Sequence, residues 1–449
     1  MSAQPKGTLI NPMARHLEAI GGPIRITHAE GVRLYDETGR SWIDCETGSG
    51  IHSLGHRSCV FLDGDELDLG NHHLISRARA DLAWHINSAF QIDFNETAAN
   101  RAINRACEIL RNELENQKPD AGKNSKQKNS DNKRVKSANV REETFLSVFN
   151  VSSSECIDSA IKLSRGATGR SIILSADNAF HGCTGYALAA SAPSLGMAIP
   201  TRSPNFVHVP FGSIDAIERK LNKEADIAAV LLEPLAIEDG CKTWPPDCLR
   251  TIHEICRERN VLLILDESVT GLGRCGSTLA CTQHDIIPDI LTIGHALGGG
   301  VYPIYATCHR KSLDLFYQRN PFVHISTFGG GEVGCMTAIA AINDLWQLHE
   351  KVFALGEGFR QTVVEIALGS NSVVRSVRGV GLANAIQFCD VDAAEAMQQM
   401  LFDRDVFCRA ALLSPDTLLF MPPLNITVDE LHEVIAAIES SLMILRERY

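Results

Sequence analysis

Polar side chains follow several apolar runs of the sequence at the point where each run ends. The run 145–151 is followed by Ser152, Ser153, Ser154 and Glu155, which open a helical stretch. Ser152 with an acid three residues later fits a capping box, and taken alone these residues favour that interpretation. The same group also fits an anion site, because exposed N–H groups at a helix N-terminus and small hydroxyl side chains suit a phosphate.

A second apolar run, 261–265, ends in Asp266-Glu267. Such a carboxylate can act as an N-cap or turn residue, or it can pair with a cationic nitrogen of a ligand. Because burying an unpaired carboxylate is costly, an inward Asp266 would need a cation. An aromatic–histidine pair such as Phe180-His181, before Gly182, more often serves packing than catalysis. The glycines at 298–300 more often form a turn than a phosphate-binding nest.

The elements that must position these side chains are short β-rich runs alternating with helical periods. Strands are predicted at 145–151, 171–177, 227–234, 261–268, 290–294 and 303–309, and helices at 154–165 and 246–260. Continuous apolar strands separated by helices predict an α/β protein with a mostly parallel sheet covered on both faces. Ligands of such sheets bind beyond the carboxyl ends of the strands, where the candidate residues lie.

The two ends of the chain differ from this pattern. A hairpin is predicted over 373–389, with helices after it, and a second hairpin turns at Thr38-Gly39. We therefore expect an N-terminal segment, 1–60, that packs with a small C-terminal α+β domain, 326–449, and a large domain, 61–325, between them. Residues 117–140 are rich in Lys, Asn and Ser and predict a disordered basic insertion. The segment could be an arm that binds a partner. A solvated surface insertion is favoured, because lengthening a surface loop adds little to the entropy cost of closing it.

Composition narrows the classes of function. The chain has 449 residues, of which 45% are hydrophobic and 21% charged, as in ordinary globular enzymes. A net charge of -12 argues against a nucleic-acid or anionic-membrane surface. No apolar run is long enough to span a bilayer, and the N-terminus predicts no secretory signal. The fourteen cysteines are scattered without metal-ligand spacing, which favours reduced thiols in a cytoplasmic protein without a metal site.

The order of these motifs resembles the class III (omega-type) aminotransferases, which are pyridoxal-phosphate (PLP) enzymes of fold type I. The most specific matches are LLILDESVTGLGRCG and PDILTIGHALGGGVYPI. Supporting matches are NVSSSECIDSAIKLSR, AFHG, LLEPL, STFGGG, VRGVGL and MPPLNIT. The resemblance covers nearly the whole chain outside the basic insertion.

The resemblance implies a role for each matching residue. Asp266 would pair with the pyridinium nitrogen of the cofactor, and Phe180 would stack on its ring. Ser153 and Ser154 would bind the phosphate, and Thr327 would reach the phosphate of the neighbouring subunit. Glu233 matches the family's acid after a buried strand, and His181 matches its histidine beside the stacking aromatic residue. The resemblance also implies a homodimer that acts on a small-molecule amine or keto substrate.

Three positions depart from the family pattern. His295 stands where the family has its Schiff-base lysine, and an imidazole can neither form that linkage stably nor supply a primary amine. Val269 replaces a glutamine that usually faces the cofactor's phenolic oxygen. Leu419 stands where many members carry an arginine for the substrate carboxylate, and a leucine cannot make that bidentate contact.

These departures leave three hypotheses. The favoured one is an unconventional enzyme that holds PLP or pyridoxamine phosphate (PMP) non-covalently, with His295 as the base and Asp266 as its other catalytic residue. It is similar to some sugar 3-dehydratases of the same fold, which replace the lysine by histidine. The second is a catalytically impaired PLP-binding pseudoenzyme or assembly partner, and the third is a structural protein without a cofactor.

Overall fold

The computed structural model describes residues 26–56, 78, 80–88, 145–195, 205–368 and 373–448. The basic insertion predicted at 117–140 lies outside these residues. Seventeen strands and nine labelled helices organise the described parts of the chain. The helices are α1 Ser153–Thr168, α2 Gly185–Ala190, α3 Ile214–Lys223, α4 Cys248–Glu258, α5 Leu315–Arg319, α6 Glu332–Trp346, α7 His349–Leu368, α8 Val391–Asp403 and α9 Val428–Arg446. Further helical segments lie at Thr47–Gly50, 80–88, Ala280–His284 and Lys311–Leu313.

A seven-stranded sheet forms the centre of the molecule, in the order β4-β12-β11-β10-β7-β5-β6. Its strands are β4 Phe145–Asn150, β5 Ile172–Ala176, β6 Phe206–Val209, β7 Ile227–Leu232, β10 Leu262–Glu267, β11 Ile290–Ile293 and β12 Tyr305–Arg310. Strand β12 runs antiparallel to both of its neighbours, and every other neighbouring pair is parallel. The predicted mostly parallel sheet is therefore confirmed.

The continuous apolar sequence of the central strands follows from burial on both faces. In β7, Val230 and Leu232 belong to one hydrophobic cluster, whereas Ala229 and Leu231 belong to another that includes residues of α1. Successive side chains of a strand point to opposite faces, so a strand covered on both sides needs apolar residues at every position. The same packing brings the carboxyl ends of the strands to one edge of the sheet.

Two smaller four-stranded sheets are built from the ends of the chain, and one of them contains strands from both ends. One has the order β13-β14-β17-β16, with β13 Val374–Val380, β14 Ala383–Phe388, β16 Arg409–Ala410 and β17 Thr417–Phe420. The other has the order β1-β2-β3-β15, with β1 Ile26–Glu30, β2 Arg33–Asp36, β3 Ser41–Asp44 and β15 Val406–Phe407. A two-stranded ribbon pairs β8 Leu235–Ala236 with β9 Lys242–Thr243.

Strand β3 pairs in parallel with β15, so the N-terminal hairpin joins the C-terminal part of the chain. Both predicted hairpins are present, as β2–β3 and β13–β14. The domain boundaries themselves stay predictions. Among the described residues, no helix combines the length and apolar character needed to cross a bilayer. The cysteines in these residues are all free thiols.

Candidate active site

A cavity lies at the edge of the sheet where the strands end, with about 330 Å³ of empty space that includes its open mouth. It is lined by residues that lie at or just after the carboxyl ends of β4, β5, β7, β10 and β11, namely Ser153, Phe180, His181, Glu233, Asp266, Ser268, Val269, Thr270 and His295. Six of the residues singled out from the sequence as candidate site residues are therefore brought together here. The cavity occupies the position at which open α/β sheets bind their ligands.

Asp266, near the end of β10, is buried and hydrogen-bonded on both carboxylate oxygens. Its Oδ2 atom lies 2.9 Å from His181 Nδ1, and its Oδ1 atom accepts from the Thr292 hydroxyl at 2.8 Å and from the Ser268 N–H at 3.1 Å. Burial would raise the pKa of Asp266, but the hydrogen bonds and the His181 ring hold that pKa below its ordinary value. The sequence predicted a cation beside a buried Asp266, and the structure places the His181 ring there together with two neutral hydrogen-bond donors.

Two polar atoms on the cavity wall have no partner among the described residues. The Nε2 atom of His181 and the hydroxyl of Thr270 are both buried without a hydrogen bond. Buried polar groups are nearly always paired, and leaving one unpaired costs about 1–3 kcal/mol. These two atoms, together with a carboxylate that still has acceptor capacity, indicate that the cavity is built for a polar ligand.

Glu233 follows β7 and lines the same cavity as Asp266. One of its carboxyl oxygens accepts from the Phe180 N–H at 3.0 Å. Burial and the negative charge of Asp266 raise the pKa of Glu233 well above its ordinary value. Its backbone carbonyl oxygen accepts from the Trp244 ring N–H at 2.8 Å, which anchors the end of β7.

His295 lies two residues after β11 and is held at both its backbone and its ring. Its N–H donates to the Ser268 carbonyl oxygen at 2.9 Å, which ties the end of β11 to that of β10. Its Nδ1 atom lies 2.7 Å from the Ser49 carbonyl oxygen, and its ring packs edge-on against Tyr305. Burial lowers the pKa of His295. Because a carbonyl oxygen only accepts, Nδ1 carries the proton and a neutral ring keeps its lone pair on Nε2.

The serine group after β4 forms half of the predicted capping box. The Ser152 hydroxyl accepts from the Glu155 N–H at 3.2 Å, as expected of an N-cap. The Glu155 carboxylate instead accepts from the Val151 N–H at 2.9 Å, so the reciprocal bond reaches one residue further back than predicted. Ser153, in the first turn of α1, lines the cavity, whereas the Ser154 hydroxyl accepts from the Cys183 N–H at 3.2 Å.

The remaining candidates lie outside the cavity wall. Thr327 is exposed. The glycines at 298–300 form a tight turn, in which a side chain at Gly298 would collide with the Tyr302 carbonyl oxygen. Leu419 in β17 is 1% exposed and belongs to an apolar cluster against which Val269 packs. Two of the three departures from the family pattern therefore share one apolar contact region beside the cavity.

An arginine that the sequence did not single out lies beside Leu419. Arg409 in β16 is the cross-strand neighbour of Leu419. Its guanidinium donates to both carboxylate oxygens of Glu238, at 2.5 and 2.9 Å, to Glu46 Oε1 at 3.1 Å and to the Ser49 hydroxyl at 3.0 Å. The planar fork of an arginine suits such bidentate contacts. The position of Leu419 is thus apolar, whereas the neighbouring position on the adjacent strand β16 holds the buried cation Arg409.

Comparison with known proteins agrees with this geometry. The family model for class-III aminotransferases matches residues 121–442. A relative described as an uncharacterized aminotransferase, from Archaeoglobus fulgidus, is 31% identical over 442 residues, which is 97% of this chain and 92% of that protein.

Solved structures show the same fold. The ornithine aminotransferase from Toxoplasma gondii has a TM-score of 0.78 at 24% identity and covers 95% of this chain and 92% of its own. The acetylornithine aminotransferase from Elizabethkingia anophelis has a TM-score of 0.71 at 23% identity, over 96% and 98%. A transaminase from the marine bacterium Virgibacillus has a TM-score of 0.78 at 18% identity, over 100% and 98%. The predicted α/β architecture of fold type I is therefore confirmed.

Proposed function

The chain belongs to the class III aminotransferases, and we propose that it is an enzyme that holds its cofactor non-covalently and uses His295 as its general base. The enzymes of this family depend on PLP, so PLP or its amine form PMP is the cofactor. The finer proposal rests on one observation. The imidazole of His295 lines the cavity with its proton fixed on Nδ1, and no lysine is among the lining residues in the described part of the chain.

The residues of the cavity fit this cofactor. Asp266 would hold the pyridine nitrogen, Phe180 would cover the ring, and Ser153 with Ser154 would bind the phosphate at the start of α1. The unpaired His181 Nε2 atom and Thr270 hydroxyl supply further polar contacts. When bound, the cofactor supplies an electron sink that stabilises negative charge on a carbon atom next to its nitrogen.

The part of His295 is to move a proton. Its lowered pKa leaves the ring neutral at neutral pH, so Nε2 can accept a proton without first losing one. Asp266 would be the second catalytic residue, because its lowered pKa keeps it negatively charged, and a carboxylate can pair with the ring nitrogen of the cofactor. The substrate would be a small-molecule amine or keto compound.

A homodimer completes the proposal. The segment that carries Thr327 exposes several large apolar side chains, with Leu315 at 50%, Phe322 at 83% and Ile325 at 56% exposure. A contiguous exposed apolar surface is typical of a protein interface. A second copy of the chain seated there would bring the partner's Thr327 towards the phosphate site. Sedimentation of the purified chain tests this part, and a monomer at micromolar concentration would contradict it.

The second candidate is a PLP-binding pseudoenzyme. The observation that favours it is the apolar cluster around Leu419 and Val269, which offers a substrate carboxylate no cation at Leu419. Turnover separates it from the first candidate, since both would bind the cofactor.

The test begins with the protein purified after addition of PLP or PMP. Native mass spectrometry should detect one cofactor per chain that is lost on denaturation, with or without borohydride. A borohydride-stable adduct on any lysine would overturn non-covalent binding. His295→Lys should place such an adduct on residue 295, and an adduct elsewhere would show that His295 is not at the lysine position.

The proposed base is tested with a panel of amines and keto acids, by following interconversion of PMP and PLP spectrophotometrically. The matched variant is His295→Asn, whose side-chain amide can still donate to the Ser49 carbonyl oxygen but cannot accept a proton. We expect the conversion to slow by at least about 100-fold in this variant, as for loss of a general base. Equal rates in both proteins would contradict the role of His295, and no conversion by either would favour the pseudoenzyme.

A further inference from the structure

The proton on His295 Nδ1 is held by a turn from the other end of the chain. Residues 46–50 follow β3, and four consecutive residues in this turn have positive φ angles, at Thr47 (54°), Gly48 (61°), Ser49 (57°) and Gly50 (93°). Left-handed backbone suits glycine, but at each non-glycine residue it costs on the order of 1 kcal/mol and persists only where the surroundings impose it. Something must therefore hold Thr47 and Ser49.

Glu46 supplies the first restraint. Its two carboxylate oxygens accept separately from the Gly48 N–H at 2.8 Å and from the Ser49 N–H at 2.9 Å. Asp44 supports the entry to the turn, because its Oδ1 atom accepts from the N–H groups of Glu46 and Thr47, each at 2.9 Å. Four consecutive N–H groups, those of residues 46–49, are thus bound by these two carboxylates.

Arg409 supplies the second restraint, from β16. It donates to Glu46 Oε1, at 3.1 Å, and to the Ser49 hydroxyl, at 3.0 Å, and its guanidinium also donates to both carboxylate oxygens of Glu238. The side chain of Arg409 is only 5% exposed, so these charge-assisted contacts are shielded from water. Since both carboxylates occupy its donors, Arg409 has a structural task in this arrangement and is not available to a substrate.

We propose that Glu46 and Arg409 are positioning residues for His295: they hold the strained turn 46–50 so that the Ser49 carbonyl oxygen fixes the proton on Nδ1 and leaves Nε2 as the basic atom. This inference rests on the proposed role of His295 as the base. The charges that act on the ring are those of Asp266, Glu238 and Glu46, and each of them raises its pKa, as does the Ser49 hydrogen bond. Loss of the carbonyl contact should accordingly lower the pKa of His295 further.

Hydrogen–deuterium exchange at the imidazole C2 position, followed by peptide mass spectrometry across a pH series, measures the pKa of His295 without any turnover. Three variants loosen the turn without removing a charge: Ser49→Ala, Glu46→Asp and Arg409→Lys. We expect the half-maximal exchange pH of His295 to fall by about one pH unit in each, which corresponds to the loss of one hydrogen bond to the charged form. Glu433→Gln, which breaks the exposed Arg33–Glu433 pair on the N-terminal sheet, should leave it unchanged.

Wild-type exchange midpoints in all three variants, even with lower melting temperatures, would show that the turn serves stability only and would overturn the inference. Ser49→Ala is the mildest change, so it keeps the test valid if Arg409→Lys does not fold. The exchange midpoint of His295 is measured without turnover, so failure of this inference can be distinguished from failure of the proposed function. A shifted midpoint in a protein without turnover supports the positioning role and contradicts the role of His295 as base.

Discussion

The Nδ1 atom of His181 lies 2.9 Å from the Oδ2 atom of Asp266, and both side chains are buried. Burying a carboxylate without hydrogen-bond partners is unfavourable, and this contact stabilises Asp266 at the end of an apolar strand. The carboxylate keeps further acceptor positions for a ligand. His181 also leaves its own Nε2 atom unpaired beside the cavity.

Asp266→Asn should weaken PMP binding by about 10- to 100-fold, because a hydrogen bond to a charged group is worth about 1.5–3 kcal/mol. His181→Asn is the matched control, since its amide can still donate to Asp266. Its effect should be smaller. Titration of the apoprotein with PMP, followed by tryptophan fluorescence, measures both affinities. Equal affinity of Asp266→Asn and the wild-type protein would contradict the assignment of Asp266.

Glu233→Gln should stabilise the protein more at pH 8 than at pH 4.5. The pKa of Glu233 is raised in the folded state, so the unfolded chain loses this proton first as the pH rises above about 4.3. The folded state of the wild type therefore becomes less stable over that window, and glutamine removes this dependence. Urea unfolding at several pH values measures the difference, and a gain that is independent of pH would contradict the raised pKa.

Arg409→Met should destabilise the protein by about 3–5 kcal/mol, because it leaves the buried Glu238 carboxylate without its cationic partner. The double variant Arg409→Met/Glu238→Gln removes both charges and should recover a large part of that loss. Urea unfolding of the two variants and of Glu238→Gln completes a double-mutant cycle. Strictly additive losses would show that the two side chains do not depend on each other.

Leu419→Arg should not restore the family's arginine. Leu419 is 1% exposed in an apolar cluster, and its cross-strand neighbour is already the cation Arg409. We expect a loss of about 3 kcal/mol or more in unfolding free energy, against less than about 1.5 kcal/mol for the volume-conserving control Leu419→Met. The exchange Arg409→Leu/Leu419→Arg should be less harmful than Leu419→Arg. If Leu419→Arg is as stable as the wild type, the apolar cluster around Leu419 accommodates a charged side chain, which would contradict this prediction.

Much of the central sheet could be predicted, because burial on both faces imposes a continuous apolar strand. The strand ends then indicated Asp266 and Phe180, and the family resemblance added Glu233 and His295. All four residues line the cavity. Thr327 is exposed and lies outside the cavity wall, and the phosphate that it is proposed to contact is the one bound by the neighbouring subunit.

The supporting residues could not be predicted in the same way. The contact of Arg409 with Glu46 joins residues 363 positions apart, and it depends on strand register that no local pattern encodes. The contact between Ser49 and His295 uses a backbone carbonyl group. Every residue has such a group, so the residue type at position 49 does not indicate the contact. The glycines on either side of Ser49 are the one signal in the sequence, because Gly48 and Gly50 both need positive φ angles.

The parallel pairing of β3 with β15 has a consequence for the order of folding. Its partners come from opposite ends of the chain, so closing this contact carries the entropy cost of a very long loop. During synthesis the central sheet can form first, since all of its strands precede residue 311. The turn that orients His295 can be completed only after β15 and β16 have been made. A nascent chain can therefore form the wall of its pocket before Arg409 contacts the turn that holds the His295 ring.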